Sequence, residues 1–171
     1  LVEFRNGESG LHVQHIHRLT ERVLAKLLER PNIYHITSEM QENIPLASAL
    51  HDIGKIAIDE KILNKPGRLT PEEFEVIKTH TTIGADMLSK LDNFCTEPLL
   101  QTAYSIARWH HERWDGRGYP DGLKGNEIPI EAQVVALADV YDALTSDRCY
   151  KKACPHERAV EMILNGECGA F

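Results

Sequence analysis

Two short stretches of this chain carry side chains that can bind metal ions and phosphate. The first runs from His51 to Lys55 with the sequence His-Asp-Ile-Gly-Lys. An imidazole and a carboxylate that are adjacent in sequence can both ligate a divalent metal. The lysine, four residues after the histidine, can reach a phosphate bound to that metal. The second stretch runs from His110 to Pro120 and begins with two adjacent histidines. Together they predict parts of a multinuclear metal site.

Further candidate ligands lie between and after these stretches, at helix ends or on the inward border of predicted helices. All offer nitrogen or oxygen atoms, which favours iron, manganese or zinc over a soft thiolate site. They outnumber the needs of one ion, so we expect two or three divalent ions. Two metals about 3.5–4 Å apart can clamp a phosphoryl group and lower the pKa of a bridging water. The candidates are Glu8, His12, His51, Asp52, His80, His110, His111 and Asp139.

The elements that must position these ligands are predicted to be helices, with no convincing strand. Apolar residues recur at three- and four-residue spacing, and Thr70 with Glu73 forms the pattern of a capping box. Because the helices of a bundle can direct side chains into one core cavity, we expect an all-α bundle. The predicted helices span 11 to about 30, 44–53 and 70–91, and further helices open at Pro98, Pro129 and Pro155.

The segments between the helices are less regular. Residues 31–43 are polar and predict a connection, and residues 113–127 contain four glycines and predict an ordered loop. The helix after Pro129 is predicted to have one apolar face, and Asp139 and Asp142 lie away from it. This face consists of Ile130, Val134, Leu137, Tyr141 and Leu144. Asp142 either orients a ligand histidine or is a solvated carboxylate. The remaining histidines are expected at the surface or at helix ends: His15, His17, His35 and His156.

Composition limits the classes of function. The formal net charge of −7 argues against extended contact with nucleic acid. No apolar run reaches membrane-spanning length, and four cysteines without a CxxC pattern favour reduced thiols in the cytoplasm. The 171 residues have the size of one domain. The start at Leu1 without a methionine predicts that the domain is part of a longer protein.

In their order and number, these motifs resemble those of the HD-GYP domain, a subgroup of the HD superfamily of metal-dependent phosphohydrolases. The resemblance covers nearly the whole chain, and it implies a single HD-superfamily helical bundle over residues 1–171 with a multinuclear metal site in its core. The matching segments are Glu8 with His12, His51–Lys55, His80–Gly84, His110–Pro120 and Ala138–Arg148.

The resemblance implies a reaction and a metal content. Active members hydrolyse cyclic di-GMP, a bacterial second messenger, to linear pGpG and often on to GMP. All eight candidate ligands match the family pattern, and Glu8 marks members with a trinuclear rather than a dinuclear site. Iron or manganese is therefore expected, with zinc, nickel or magnesium as alternatives.

The resemblance also implies roles outside ligation. Asp52 and Lys55 are expected to be catalytic, and Lys55, Arg148 and Lys151 to hold the phosphates of the substrate. The Gly118-Tyr119-Pro120 loop is associated with a diguanylate cyclase partner. Cys149 departs from the family, in which a proline often follows the arginine; this can alter the loop that carries Arg148 and Lys151.

Two alternatives stay open. The domain can be a signalling module that binds cyclic di-GMP or a cyclase without cleaving the nucleotide. It can also be an HD phosphohydrolase that acts on another nucleotide. A complete set of ligands favours catalysis, and the Gly-Tyr-Pro segment favours a cyclic dinucleotide.

Overall fold

The computed structural model describes residues 11–147 and 152–171. Within these ranges the chain is helical and forms no strand, which confirms the predicted all-α class. The α-helices are α1 (Leu11–Leu28), α2 (Ser38–Ser48), α3 (Glu60–Leu63), α4 (Pro71–Lys78), α5 (His80–Ser89), α6 (Pro98–Trp109), α7 (Ile130–Thr145) and α8 (His156–Leu164). Short 3₁₀ helices span Ile53–Ala57 and Gly125–Glu127.

Helix α1 places a candidate ligand at the start of its buried stripe. His12, Ile16, Thr20 and Leu24 are buried at four-residue spacing, so they lie on one face of the helix. This face packs against α2 and α7. The apolar part of the stripe holds α1 in the core, and His12 is thereby carried into the interior.

The connection predicted over 31–43 is wrong in its second half, because α2 begins at Ser38. The side chain of Thr37 caps this helix by accepting the Met40 N–H at 3.1 Å. The first turn of α2, residues 38–41, is exposed and polar apart from Met40, which packs against the core, so apolar periodicity gave no sign of it. The helix predicted to reach Ile53 also ends early, at Ser48. After Ser48 the backbone hydrogen bonds join residues three apart, as in a 3₁₀ turn. The Leu50 N–H donates to the Ala47 carbonyl, and the His51 N–H donates to the Ser48 carbonyl.

The single helix predicted from 70 to 91 is divided at Thr79 into α4 and α5. The capping box at Thr70 and Glu73 is confirmed. Three threonine hydroxyls donate back to carbonyls of the preceding turn, a bond that commonly bends helices. They belong to Thr79, Thr81 and Thr82. The division makes His80 the first residue of α5.

Two glycines let the 3₁₀ helix after α2 touch α5. A Cβ on Gly54 would lie 2.0 Å from the His80 carbonyl oxygen, and one on Gly84 would lie 3.1 Å from the Gly54 nitrogen. No side chain fits between the two backbones at Gly54. This close approach brings the end of the His51–Lys55 stretch against the first turn of α5.

The core lies between α1, α2, α5, α6 and α7. Its fully buried members include Ile16, Ile44, Ile106 and Val135. On α7 the predicted apolar face is only partly correct, because Leu137 and Tyr141 remain partly exposed whereas Asp142 is buried. The helices thus surround a core that contains polar side chains on one side.

Candidate metal centre

Seven of the eight candidate ligands come together in two adjacent groups in the core. The ligand atoms of each group lie within 4.8 Å of one another. One group consists of Asp52, His80, His110 and His111, and the other of His12, His51 and Asp139. The eighth candidate, Glu8, lies outside the described residues. Helix ends supply most of the ligands, and Asp139 comes from the middle of α7.

Asp52 lies between the two groups. Its Oδ1 is 3.2 Å from His80 Nε2, and its Oδ2 is 3.2 Å from His51 Nε2. In the second group, His12 Nε2 lies 3.8 Å from Asp139 Oδ1. One carboxylate that faces both groups is the arrangement expected of a ligand shared by two ions.

Three of the histidines are oriented by the backbone of their own helical segments. In each, Nδ1 lies 2.6–2.8 Å from a carbonyl oxygen three or four residues earlier. A carbonyl can only accept, so the ring donates from Nδ1, and in the neutral imidazole Nε2 keeps its lone pair. The pairs are His51 with Ser48, His80 with Ile77, and His110 with Ile106.

His12 is oriented by a side chain instead. Its Nδ1 lies 2.7 Å from Asp142 Oδ2, and the other oxygen of that carboxylate lies 2.9 Å from His15 Nδ1. Ser146 donates a third hydrogen bond to Asp142. Asp142 is only 3% exposed, so of the two roles considered for it, the solvated carboxylate is wrong. His15 lies at the exposed edge of this network, as expected for a surface histidine.

The atoms that face the centre make no hydrogen bond among the described residues, although Asp52 lies within ion-pair distance of three of the histidines. Five are buried and make no hydrogen bond: Nε2 of His12, His51, His80 and His110, and Oδ1 of Asp52. Leaving one buried polar atom unpaired costs about 1–3 kcal/mol. The carboxylate oxygen offers a lone pair to a metal, and so does each Nε2 when its ring is neutral. This set of nitrogen and oxygen atoms is the kind that binds divalent cations.

The pKa values of the buried histidines shift in opposite directions. Burial opposes the charged form of His51, but the Asp52 carboxylate outweighs it and raises the pKa of His51 to about 9. Burial, followed by the nearby His51, holds the pKa of His110 well below its usual value. Burial likewise lowers the pKa of His111, with His110 as the next cause. These shifts favour a proton at His51 over His110 and His111 when no metal is bound.

Asp52 stays ionised despite its burial. Burial alone would raise the pKa of Asp52, but the ammonium of Lys55 and the neighbouring His51 hold it well below its usual value. Lys55 Nζ lies 2.6 Å from Asp52 Oδ2. The sequence predicts a phosphate contact for Lys55, and the structure places it beside the carboxylate that faces both groups. Arg148 and Lys151 lie outside the described residues.

Sequence reasoning missed Glu112, which follows the two adjacent histidines. Glu112 is 2% exposed and accepts hydrogen bonds from three successive backbone N–H groups at 121–123. It therefore ties the Gly118-Tyr119-Pro120 loop to the end of α6, and Tyr119 stacks on the His111 ring. The available signal was an acidic residue between the ligands and a glycine-rich loop, where backbone N–H groups lack helical partners.

Comparison with known proteins agrees with this geometry. The profile of the family described as HD domain matches residues 10–167. The chain belongs to the HD domain family. This confirms the superfamily expected from the motifs.

Curated HD relatives are similar over most of this chain. A cyclic di-GMP phosphodiesterase of Thermotoga maritima is 45% identical over 163 residues, which is 95% of the chain and 41% of that protein. A probable cyclic di-GMP phosphodiesterase of Vibrio cholerae is 42% identical over 176 residues, which is 100% of the chain and 40% of the relative. The chain thus spans about two-fifths of the length of these relatives.

A solved structure supports the fold. The crystal structure of a cyclic GMP-AMP specific phosphodiesterase of V. cholerae superimposes with a TM-score of 0.62 at 16% identity. The superposition covers 96% of this chain and 42% of the other chain. At this identity the likeness shows the helical architecture. Among the described residues, no helix is both long and apolar enough to cross a membrane.

Proposed function

We propose that this domain is a metal-dependent phosphodiesterase that hydrolyses cyclic di-GMP to pGpG, to GMP, or to both in succession. The observation that carries the proposal is the set of buried Nε2 atoms around Asp52 that lack hydrogen-bond partners. A core can tolerate so many unpaired atoms when a cation binds them. Relatives at 45% and 40% identity are named cyclic di-GMP phosphodiesterases.

The ligand set assigns roles to the residues of this chain. His12, His51 and Asp139 would hold one ion, His80, His110 and His111 a second, and Asp52 would contact both. Glu8 would complete a third position. We propose iron or manganese from the family resemblance, with zinc, nickel and magnesium as alternatives, because the nitrogen and oxygen donors themselves do not select one of these metals. Bound metals supply Lewis-acid stabilisation of the phosphoryl oxygens and a water of lowered pKa.

The remaining roles concern the substrate. Lys55 is the described cation nearest to Asp52, and it would neutralise charge on a phosphate oxygen at the centre. Arg148 and Lys151 would hold the substrate phosphates. A diguanylate cyclase that contacts the Gly118-Tyr119-Pro120 loop, a cytoplasmic location and a domain that spans residues 1–171 within a longer protein remain predictions.

The experiment measures turnover of purified protein loaded anaerobically with iron or manganese. Cyclic di-GMP should yield pGpG or GMP, and His110→Ala should lose both bound metal and turnover. His156→Ala serves as the matched control, because His156 is exposed and bonded to Tyr141 away from the centre. Binding of cyclic di-GMP without turnover by the loaded protein would contradict the proposal and favour the binding module.

A second substrate is favoured by a specific observation. A relative named 3'3'-cGAMP-specific phosphodiesterase 2, from V. cholerae, is 38% identical over 95% of this chain. The two cyclic dinucleotides differ in one base. Parallel kcat/KM values for both, under the same metal loading, decide between them. A ratio of at least about ten in favour of cyclic di-GMP, equivalent to about 1.4 kcal/mol, would support the first assignment.

A further inference from the structure

His111 differs from the other candidate ligand histidines in how its ring is held. His12, His51, His80 and His110 each use Nδ1 for a short hydrogen bond. The ring of His111 makes no such bond with any residue in 11–147 or 152–171. A metal-binding histidine is normally oriented through its second nitrogen, so another contact must fix this ring.

The ring of Tyr119 provides that contact. It stacks on His111 with centroids 4.7 Å apart and an interplanar angle of 27°. On its other sides His111 meets the rings of His110 at 4.1 Å and His80 at 5.2 Å. A flat ring packed against an imidazole restricts rotation about the side-chain bonds, which is the effect that a hydrogen bond at Nδ1 has on the other histidines.

Tyr119 is in turn fixed by its loop. Its backbone N–H donates to the His111 carbonyl at 3.2 Å. Just before it, a Cβ on Gly118 would lie 2.4 Å from the Arg113 nitrogen, so the loop packs directly on the backbone there.

Glu112 holds the other side of this loop. Its Oε1 accepts from Asp121 at 2.7 Å and Gly122 at 3.0 Å, and its Oε2 accepts from Leu123 at 3.1 Å. The loop is therefore attached on both sides of Tyr119 to the three residues His111–Arg113.

We propose that Tyr119 is the positioning residue for His111 and that Glu112 keeps Tyr119 in place. Stacking replaces the hydrogen bond that orients the other four histidines. The inference rests on the proposed function, because it requires His111 to be a metal ligand. It gives the Gly-Tyr-Pro segment a task within this chain, whether or not a partner also contacts the loop.

Metal affinity is the direct readout, measured on the metal-free protein by competition with a chromophoric chelator, using Mn²⁺. Tyr119→Leu should raise the metal Kd by about tenfold or more, the usual effect of removing a group that orients a ligand. Tyr119→Phe keeps the ring and should stay within about twofold of wild type. Phe74→Leu is the matched control, because Phe74 meets Tyr119 edge-on at 6.4 Å without a stacking contact to His111.

Glu112→Gln tests the support of the loop. Amide exchange at 121–123 should become at least about tenfold faster, because an amide replaces the carboxylate that accepts those N–H groups. Glu127→Gln is the control, since Glu127 is exposed and accepts from the Lys124 N–H alone. In a double-mutant cycle with Tyr119→Leu, the effects on metal Kd should be less than additive, because Glu112 acts through Tyr119.

The outcomes separate this inference from the proposed function. If His111→Ala weakens metal binding and Tyr119→Leu does not, Tyr119 has no positioning role, and the proposed function stands. If His111→Ala leaves metal affinity unchanged, the ligand assignment fails and the inference fails with it. Should Tyr119→Leu lose its helical circular dichroism, Tyr119→Met repeats the test with a flexible side chain. Wild-type affinity in folded Tyr119→Met would overturn the proposal.

Discussion

The candidate ligand histidines are oriented in two different ways. His51, His80 and His110 donate from Nδ1 to backbone carbonyls three or four residues earlier in the chain. His12 instead depends on Asp142, which is 130 residues away on α7. A side-chain substitution cannot remove a backbone carbonyl, whereas a single substitution removes the Asp142 carboxylate. The first three ring orientations are consequences of local helix geometry, and the fourth is a consequence of how α1 and α7 pack.

Gly54→Ala is expected to have the largest effect, because it disturbs the packing of the backbone around His51 and His80, two of the histidines that carbonyls orient. Its Cβ would lie 2.0 Å from the carbonyl oxygen of His80. We expect a loss of about 3 kcal/mol or more in the free energy of unfolding, at the upper end of overpacking effects, measured by denaturant titration of the metal-free protein. Gly84→Ala is the graded control, since its nearest contact is 3.1 Å. Equal small losses for both variants would show that the backbones do not meet there.

Asp142→Asn should have the next largest effect, confined to His12, the histidine that a side chain orients. The variant keeps the shape but loses the charge that accepts from His12, so metal Kd should rise about 10–100-fold. Asp147→Asn is the control, because Asp147 is exposed and accepts from the Ala153 N–H. Unchanged metal affinity in Asp142→Asn would mean that α1 packing alone orients His12.

The pH dependence of metal binding concerns His51, whose pKa is raised from 6.5 to about 9. Because the proton competes with the metal below pH 9, metal affinity should rise with pH between about 6.5 and 9, by up to tenfold per unit for one displaced proton. In the metal-free protein, the stability that protonated His51 contributes is complete below pH 6.5 and is lost as pH rises through 9. A flat affinity profile across this window would show that His51 is already neutral.

His15→Ala should have the smallest effect. His15 contacts the same carboxylate as His12, but its side chain is 47% exposed and it belongs to neither group of candidate ligands. Metal Kd should change by no more than about threefold, well below the effect of removing Asp142 itself. A loss as large as that of Asp142→Asn would show that the carboxylate needs both histidines to hold its position.

Local signals in the sequence were enough for the helical class and for most of the candidate residues that the structure brings together. The capping box at Thr70 and the prolines at 98, 129 and 155 mark helix starts that the structure confirms. The candidate ligands follow from residue type and spacing, because each motif places its donor atom at the end of a helix or on an inward border.

Other features could not be predicted, because they leave no apolar pattern or depend on contacts outside the regular helix spacing. The first turn of α2 has one apolar residue, Met40, and the break at Thr79 depends on side-chain hydroxyls that bond within their own turn. Asp142 is buried against His12, which is 130 residues away. Glu112 accepts hydrogen bonds from the loop at 121–123, nine to eleven residues later. Carboxylates are usually exposed, so residue type alone predicts, wrongly, that both side chains lie at the surface.

The central claim is that the unpaired Nε2 atoms face a metal centre shared through Asp52. An anomalous difference map of crystals grown from metal-loaded protein tests it directly. The account predicts at least two peaks, each about 2.0–2.2 Å from Nε2 atoms of the candidate histidines, with Asp52 in contact with both. A map with no peak at these nitrogens, or with ligation through Nδ1, would contradict it.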